Sequence, residues 1–259
     1  MITQIPSADS IPKSPSLEAA RGNIQGQTVI RRFARGTVTT SETLVGLTGA
    51  SPVFQTSAAP VRVRAGGNAN DSAAGTGART ILVSGLDTNF NLISETITLA
   101  GASVSAQTTQ SFRRVNFAYV ASTGVYRGSN TGEVVIENTS GVLISDISAG
   151  AGQSNSSWFC VPSGYAYYVV GFNLTAASSK EVTVYVNIAE DADDVTTPFT
   201  GAKRRVSEYP SIGNNAPFTY TVPLRVRAKT DIWVSGFTSS TTADISVEYV
   251  GVLIEDGSP

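Results

Sequence analysis

Gly77-Ala-Arg-Thr-Ile-Leu-Val-Ser-Gly-Leu-Asp-Thr-Asn-Phe-Asn-Leu-Ile-Ser-Glu-Thr-Ile-Thr-Leu-Ala100 decides the fold class of this 259-residue chain. Thr80 to Val83 is β-branched and apolar. Ile93 to Leu99 alternates, with Ile93, Ile97 and Leu99 on one face and Ser94, Thr96 and Thr98 on the other. Glu95 interrupts the apolar face, which is therefore expected to be buried only in part. Between the two runs, Asp87-Thr-Asn-Phe-Asn91 is rich in side chains that hydrogen-bond their own backbone. The unit is a pair of strands joined by a polar turn, and none of its residues has the look of a catalyst.

The same pattern extends outward. Short apolar runs at 61–65, 80–85, 92–99, 103–108, 112–121, 133–137 and 142–147 are separated by turn-forming stretches such as Gly66-Gly-Asn-Ala-Asn-Asp71. After the Gly/Ser-rich interruption at 149–157, runs resume at 158–161, 165–175, 181–189, 218–222, 224–228, 231–237 and 245–254. In Val182-Thr-Val-Tyr-Val-Asn-Ile188 every even position is apolar, which defines a buried face. This spacing, with no long segment of helical period, predicts an all-β chain of two antiparallel, jelly-roll-like sandwiches at 51–149 and 150–259. Pro60-Val-Arg-Val-Arg-Ala65 is echoed by Pro223-Leu-Arg-Val-Arg-Ala228, with aliphatics facing inward and arginines outward.

Residues 1–50 are expected to form an extended N-terminal arm, since Pro6, Pro12 and Pro15 punctuate a polar stretch with little to bury. Ser16 to Arg21 suits a helical turn or two, with Ser16 as its cap. Five basic residues against two acidic ones up to Gly36 give +3, so the remainder of the chain carries −5 of the net −2.

Composition narrows the function. The chain has no histidine and one cysteine, Cys160. Histidine-based catalysis, histidine-ligated zinc, thiolate clusters and an intrachain disulfide are thereby excluded. Net charge argues against a nucleic-acid partner. No segment approaches the ~20 apolar residues of a membrane span, and no secretory leader is expected at the N-terminus. No catalytic residue, cofactor or metal site is assigned. Asp87–Asn91 begins like a calcium loop, but Leu92 replaces the required glycine and a turn is the expected use. Glu190-Asp-Ala-Asp-Asp194 concentrates carboxylates, for which solvated charge is preferred over a cation site or over hydrolysis.

Two interaction sites are expected instead. Arg21, Arg31, Arg32, Phe33 and Arg35 of the arm suit docking onto an acidic neighbouring subunit. Trp158, Tyr167, Tyr168 and Trp233 are candidate glycan contacts, although core packing is the preferred reading for such rings.

The Gly77–Ala100 block resembles a sequence common among structural proteins of tailed bacteriophages, in its Ala-Arg-Thr strand, Gly-Leu-Asp, Asn-rich turn and Ser-Glu-Thr-aliphatic-Thr-Leu strand. Arg113–Val120, Val161-Pro-Ser-Gly-Tyr-Ala166, Lys229-Thr-Asp-Ile-Trp233 and Arg21-Gly-Asn-Ile-Gln-Gly26 followed by Arg31-Arg-Phe-Ala-Arg35 are similar to the same proteins. The resemblance implies a non-enzymatic virion component. It would be a capsid decoration or cement subunit, or alternatively a tail or fibre module that binds host glycan. The partners implied are other virion proteins, namely the major capsid protein or tail and portal components. Assembly as a homo-oligomer, such as a trimer, with neither membrane nor nucleic acid as partner, completes the expectation.

Overall fold

The computed structural model describes residues 15–46, 54–177 and 180–256. Helix α1 (Pro15–Ala20) is followed by β1 (Gln27–Thr39), β2 (Thr43–Leu44), β3 (Val61–Arg64), β4 (Ala78–Leu86), β5 (Leu92–Thr98), β6 (Arg114–Thr123), β7 (Val134–Asn138) and β8 (Leu143–Ile147). Then come β9 (Phe159–Cys160), β10 (Tyr165–Ala176), β11 (Val182–Ala189), β12 (Lys203–Ile212), β13 (Ala216–Val226), β14 (Asp231–Thr238) and β15 (Thr242–Glu255). Among the described residues all of the strand pairings are antiparallel. The chain is all-β, as its spacing predicts.

Among the described residues, four sheets enclose two main cores. A four-stranded sheet ordered β1-β15-β10-β13 faces one ordered β12-β11-β14-β2, with β9 also on β14. Their inner faces share Val38, Tyr167, Phe172, Val184, Val234 and Tyr249. This is the major sandwich. In the minor one, β3-β7-β8 faces β5-β4-β6 around Val63, Ile81, Ile97, Phe112 and Ile136. In β11 all four even positions from Val182 to Ile188 are in the major core. Ile97 in β5 and Leu99 just after it are buried, and Ile93 packs against the minor core from a half-buried position. Glu95 on that same face accepts hydrogen bonds from the N–H groups of Thr109 and Gln110, so it anchors a loop.

The largest departure from expectation is β1. Residues 27–44 were expected within an extended arm, yet all 13 residues of β1 pair with β15 without a register break. The sequence hides the strand because its arginines alternate in role. Arg32, Ala34 and Val38 point inward while Arg31, Phe33, Arg35 and Thr37 point outward, a period of two. β2 then extends the facing sheet. Sheet membership therefore joins Gln27–Leu44 to the strands after Trp158, and the minor sandwich is inserted between β2 and β9. The rest of the expected arm, residues 1–14 and 47–50, lies outside the described residues. Helix α1 begins at Pro15, one residue before the serine expected to cap it.

Other differences have local causes. Ser103–Thr108 is not a strand, but Ser105 and Thr108 lie along β3 and use their hydroxyls as well as backbone N–H to bond Val63 and Val61. The two runs either side of Pro223 form one strand, β13, which lies at a sheet edge where a missing N–H is tolerated. β12 was hidden by the Lys203-Arg-Arg205 run. Glu42, before β2, collects Lys203 at 2.6 Å, Arg205 at 3.2 Å and the hydroxyl of Ser235. Desolvation pushes Glu42 up, but these hydrogen bonds and charges outweigh it and hold its carboxyl below the ordinary value of 4.5.

Two outcomes follow. Removing residues 1–36 takes most of β1 from its ladder and uncovers β15, so the truncated chain should lose its cooperative thermal transition by circular dichroism. For Glu42, a lowered folded-state value means that its contribution is full above the ordinary carboxylate range and fades as pH falls through the folded value. The melting temperature of the native protein should drop below pH 4.5, and by less in Glu42→Gln. An equal drop in both would remove Glu42 as the cause.

Candidate docking surface

The two sandwiches meet through buried polar contacts. Arg114 of β6 makes two hydrogen bonds to Asp231 of β14, at 2.9 and 2.8 Å, and both side chains are buried. Desolvation pulls the Arg114 guanidinium down, yet the hydrogen bonds and charge of Asp231 outweigh it and leave it above its ordinary value. The β4–β5 turn adds Phe90, whose φ of 65° is uncommon for so bulky a residue. Its ring is buried beside Leu86 and Cys160, with Arg113, Arg114 and Lys229 about its faces at 5.8–6.0 Å. Asp87 holds the turn by accepting from the N–H groups of Asn89 and Asn91. The pentapeptide expected to be a turn is one, and its ring also locks the junction.

Asparagines complete the junction by imitating a strand edge. Asn116 donates to the Cys160 carbonyl at 2.8 Å and accepts its N–H at 2.9 Å. Asn155 treats Arg35 in the same way, at 2.6 and 2.5 Å. Each carboxamide satisfies one donor and one acceptor that water would otherwise serve. Cys160 is buried, and desolvation pushes its thiol well up.

The arm residues split. Arg32 is buried, donates to the Asn116 carbonyl, and lies over the Phe117 and Phe159 rings at 5.5 and 5.0 Å. Burial draws its guanidinium below its ordinary value, and the phenols of Tyr249 and Tyr167 counter part of that. Its expected role in docking is corrected: the side chain is spent inside the chain. Arg21 is exposed and pairs with Glu18 at 2.9 Å. Arg31 is exposed and reaches Glu248 at 3.1 Å, while Phe33 is 45% exposed. Arg35 is exposed, and among the described residues its guanidinium has no ion pair. Arg31, Phe33 and Arg35 thus share the outer face of one edge strand.

Clefts flank this strand. One of about 580 Å³ lies between Phe33, Arg35 and Thr37 on β1 and Ser148, Gln153 and Asn155 of the Gly/Ser-rich connection. A second, of about 310 Å³, lies between Val29 and Arg31 on one side and Ser84, Leu92 and Phe117 on the other. The sequence singles out neither Phe117 nor Asn155, and Leu92 only as the residue in a calcium loop's glycine position, because their importance depends on the minor sandwich folding back against β1.

The glycan candidates are corrected in part. Trp158 and Tyr167 are buried at 4% and 0% exposure, so neither can stack on a sugar. The Trp158 indole donates to the Val115 carbonyl, and the Tyr167 hydroxyl to that of Ile30. Tyr168 and Trp233 are half-buried, and Trp233 packs against Leu44, Trp158 and Phe54. In the acidic run, Glu190 bonds Arg204 and Arg227, Asp193 bonds Lys229, and Asp194 accepts from the Thr196 and Thr200 backbone. Among the described residues no group of three metal-ligating side chains converges.

Removing one partner of the Arg114–Asp231 pair should be far costlier than removing both. Asp231→Ala leaves a buried guanidinium unpaired and should cost about 3–5 kcal/mol. The double replacement Arg114→Met with Asp231→Leu should recover most of that in denaturant titrations. Cys160 should react with a thiol reagent only as the junction opens, so Asp231→Ala should also raise its labelling rate. Unchanged labelling would mean that the pair does not hold the sandwiches together.

No family model matches the sequence, and no curated protein matches it either. Among solved structures, a chain of the naturally occurring empty particles of cowpea mosaic virus is 9% identical, with a TM-score of 0.23 over 80% of this chain and 85% of that one. A chain of infectious bursal virus-derived T=1 particles is 13% identical, with a TM-score of 0.26 over 96% of this chain and 72% of that one. Such scores lie below those of chains that share a fold.

Proposed function

We propose that this chain is a non-enzymatic structural subunit of a bacteriophage virion, a capsid decoration or cement protein that docks through the outer face of β1. One observation carries the docking role. An edge strand presents Arg31, Phe33 and Arg35 outward while the same strand buries Arg32 and Ala34. A rigid strand offers two cations around one aromatic ring at little conformational cost, which is how hot spots are built. The remainder of the chain is acidic, so the basic strand also steers a neighbour by charge. The virion assignment rests on the bacteriophage-like sequence elements spread over most of the chain. The partner is another virion protein, and the subunits assemble as a homo-oligomer.

The absence of histidine and the commitment of Glu190 and Asp193 to ion pairs support a structural rather than catalytic role. The alternative of glycan recognition loses two of its four rings to the core.

The combined variant Arg31→Glu, Phe33→Ser, Arg35→Glu tests the docking role. These side chains are exposed, so the melting temperature should stay close to that of the native protein. Co-sedimentation with particles that lack this protein should fall at least about tenfold, and attachment of the native protein should weaken with added salt. Attachment equal to the native level would end the docking assignment to β1.

A further inference from the structure

We propose that the open edge of β1 receives an extended acidic segment of a neighbouring protein subunit, which adds to the sheet as a further strand. The inference deepens the docking reading above and rests on it.

The register supplies the first argument. β1 and β15 pair continuously, so backbone groups alternate strictly between facing β15 and facing away. Arg35 turns both its N–H and its carbonyl to Asn155, which puts the odd positions on the side away from β15. Val29, Arg31 and Phe33 therefore present N–H and carbonyl groups to the open edge. Among the described residues no backbone hydrogen bond reaches them. An edge of this kind is a template for another strand unless something blocks it. At Arg35 the Asn155 carboxamide blocks it. Between Val29 and Arg32 the edge instead opens onto the cleft of about 310 Å³.

Besides β1, that cleft is lined by Ser84 and Gly85 of β4, Leu92, Asn116, Phe117 and Phe159. Leu92 is 55% exposed. A strand laid against β1 would point alternate side chains toward Leu92, Phe117 and Phe159 and the others out beside Arg31 and Phe33.

Charge selects the occupant. Arg31 is held by one partly exposed carboxylate, Glu248, and Arg35 by none among the described residues. Cross-strand neighbours of these two cations are favourable when acidic, and the position beside Phe33 when apolar. The segment therefore carries a carboxylate opposite Arg31 and an outward apolar side chain beside Phe33, with a second carboxylate two residues on, where the chain leaves the edge short of Asn155 and its side chain still reaches Arg35. This is peptide recognition by strand addition, in which the backbone provides affinity and alternate pockets provide selectivity.

The probe is the peptide acetyl-Thr-Glu-Val-Val-Leu-Glu-Thr-amide, titrated into the full chain and followed by amide NMR and hydrogen exchange. Saturable binding at or below about 1 mM is expected, with slowed exchange at Val29, Arg31 and Phe33. A peptide with lysines in place of the glutamates should bind at least about tenfold more weakly. Val29→Pro removes one outward donor where an edge tolerates proline, and should weaken binding about tenfold while Val29→Ala does not. Leu92→Glu should weaken it without lowering the melting temperature. No saturable binding, equal binding of the lysine peptide, or native binding by Val29→Pro would each overturn the inference. If the outer-face variant loses particle attachment while the native chain ignores the peptide, docking stands and strand addition falls. If the peptide binds but attachment is unaffected, strand addition stands and the docking reading falls.

Discussion

The ladder between β1 and β15 is the constraint on which everything else rests. It joins residues more than 200 apart along the chain, and no local propensity brings them together. Loop-closure entropy rises only with the logarithm of separation, about 0.6 kcal/mol per doubling, so the distance is affordable once the ladder and its core form. The same separation makes the pairing late in folding, because non-local contacts must wait for the loop to close. Closing this ladder fixes the span between β2 and β9, and the inserted minor sandwich has to fit within it.

An insertion held at both ends needs little additional apolar burial to stay in place, and the junction combines two small apolar clusters, around Trp158 and Phe90, with buried polar contacts. Arg114–Asp231 is satisfied on both sides, which matters more than its attraction, since a buried ion pair roughly breaks even against desolvation. Asn116 and Asn155 add no net charge and satisfy backbone groups of Cys160 in β9 and of Arg35 within β1. Polar contacts of this kind have direction, whereas apolar burial does not. The junction thereby sets the angle between the sandwiches, and with it the width of the clefts beside β1.

The fold was legible wherever burial follows a two-residue period. β5 and β11 announced themselves through Ile93, Ile97 and the even positions from Val182 to Ile188. β1 did not, although it has the same period, because a buried arginine stands where an aliphatic residue would have revealed it. Arg32 is tolerated there by two aromatic rings and a carbonyl, all from parts of the chain far away in sequence. Likewise, Trp158 and Tyr167 look like candidate sugar platforms in a list of aromatics and turn out to be core. Among the candidate site residues, Arg31, Phe33 and Arg35 were legible as a basic and aromatic cluster. Leu92 and Asn155 were not, since their place depends on tertiary closure.

The opposite fates of Arg31 and Arg32 carry the consequence furthest. Adjacent residues on a strand face opposite sides, so a pair of arginines on β1 must put one in the interior whenever the other is exposed. The fold meets that requirement by using the interior arginine to fasten the minor sandwich, through Asn116 and Phe117, beside the very edge that its neighbour decorates. Arg32 thus also lines the cleft beside positions 29–32 that the outer edge borders. Docking and the closure of the two sandwiches share one strand, and any partner that seats on its outer edge leans on the junction that Arg32 holds.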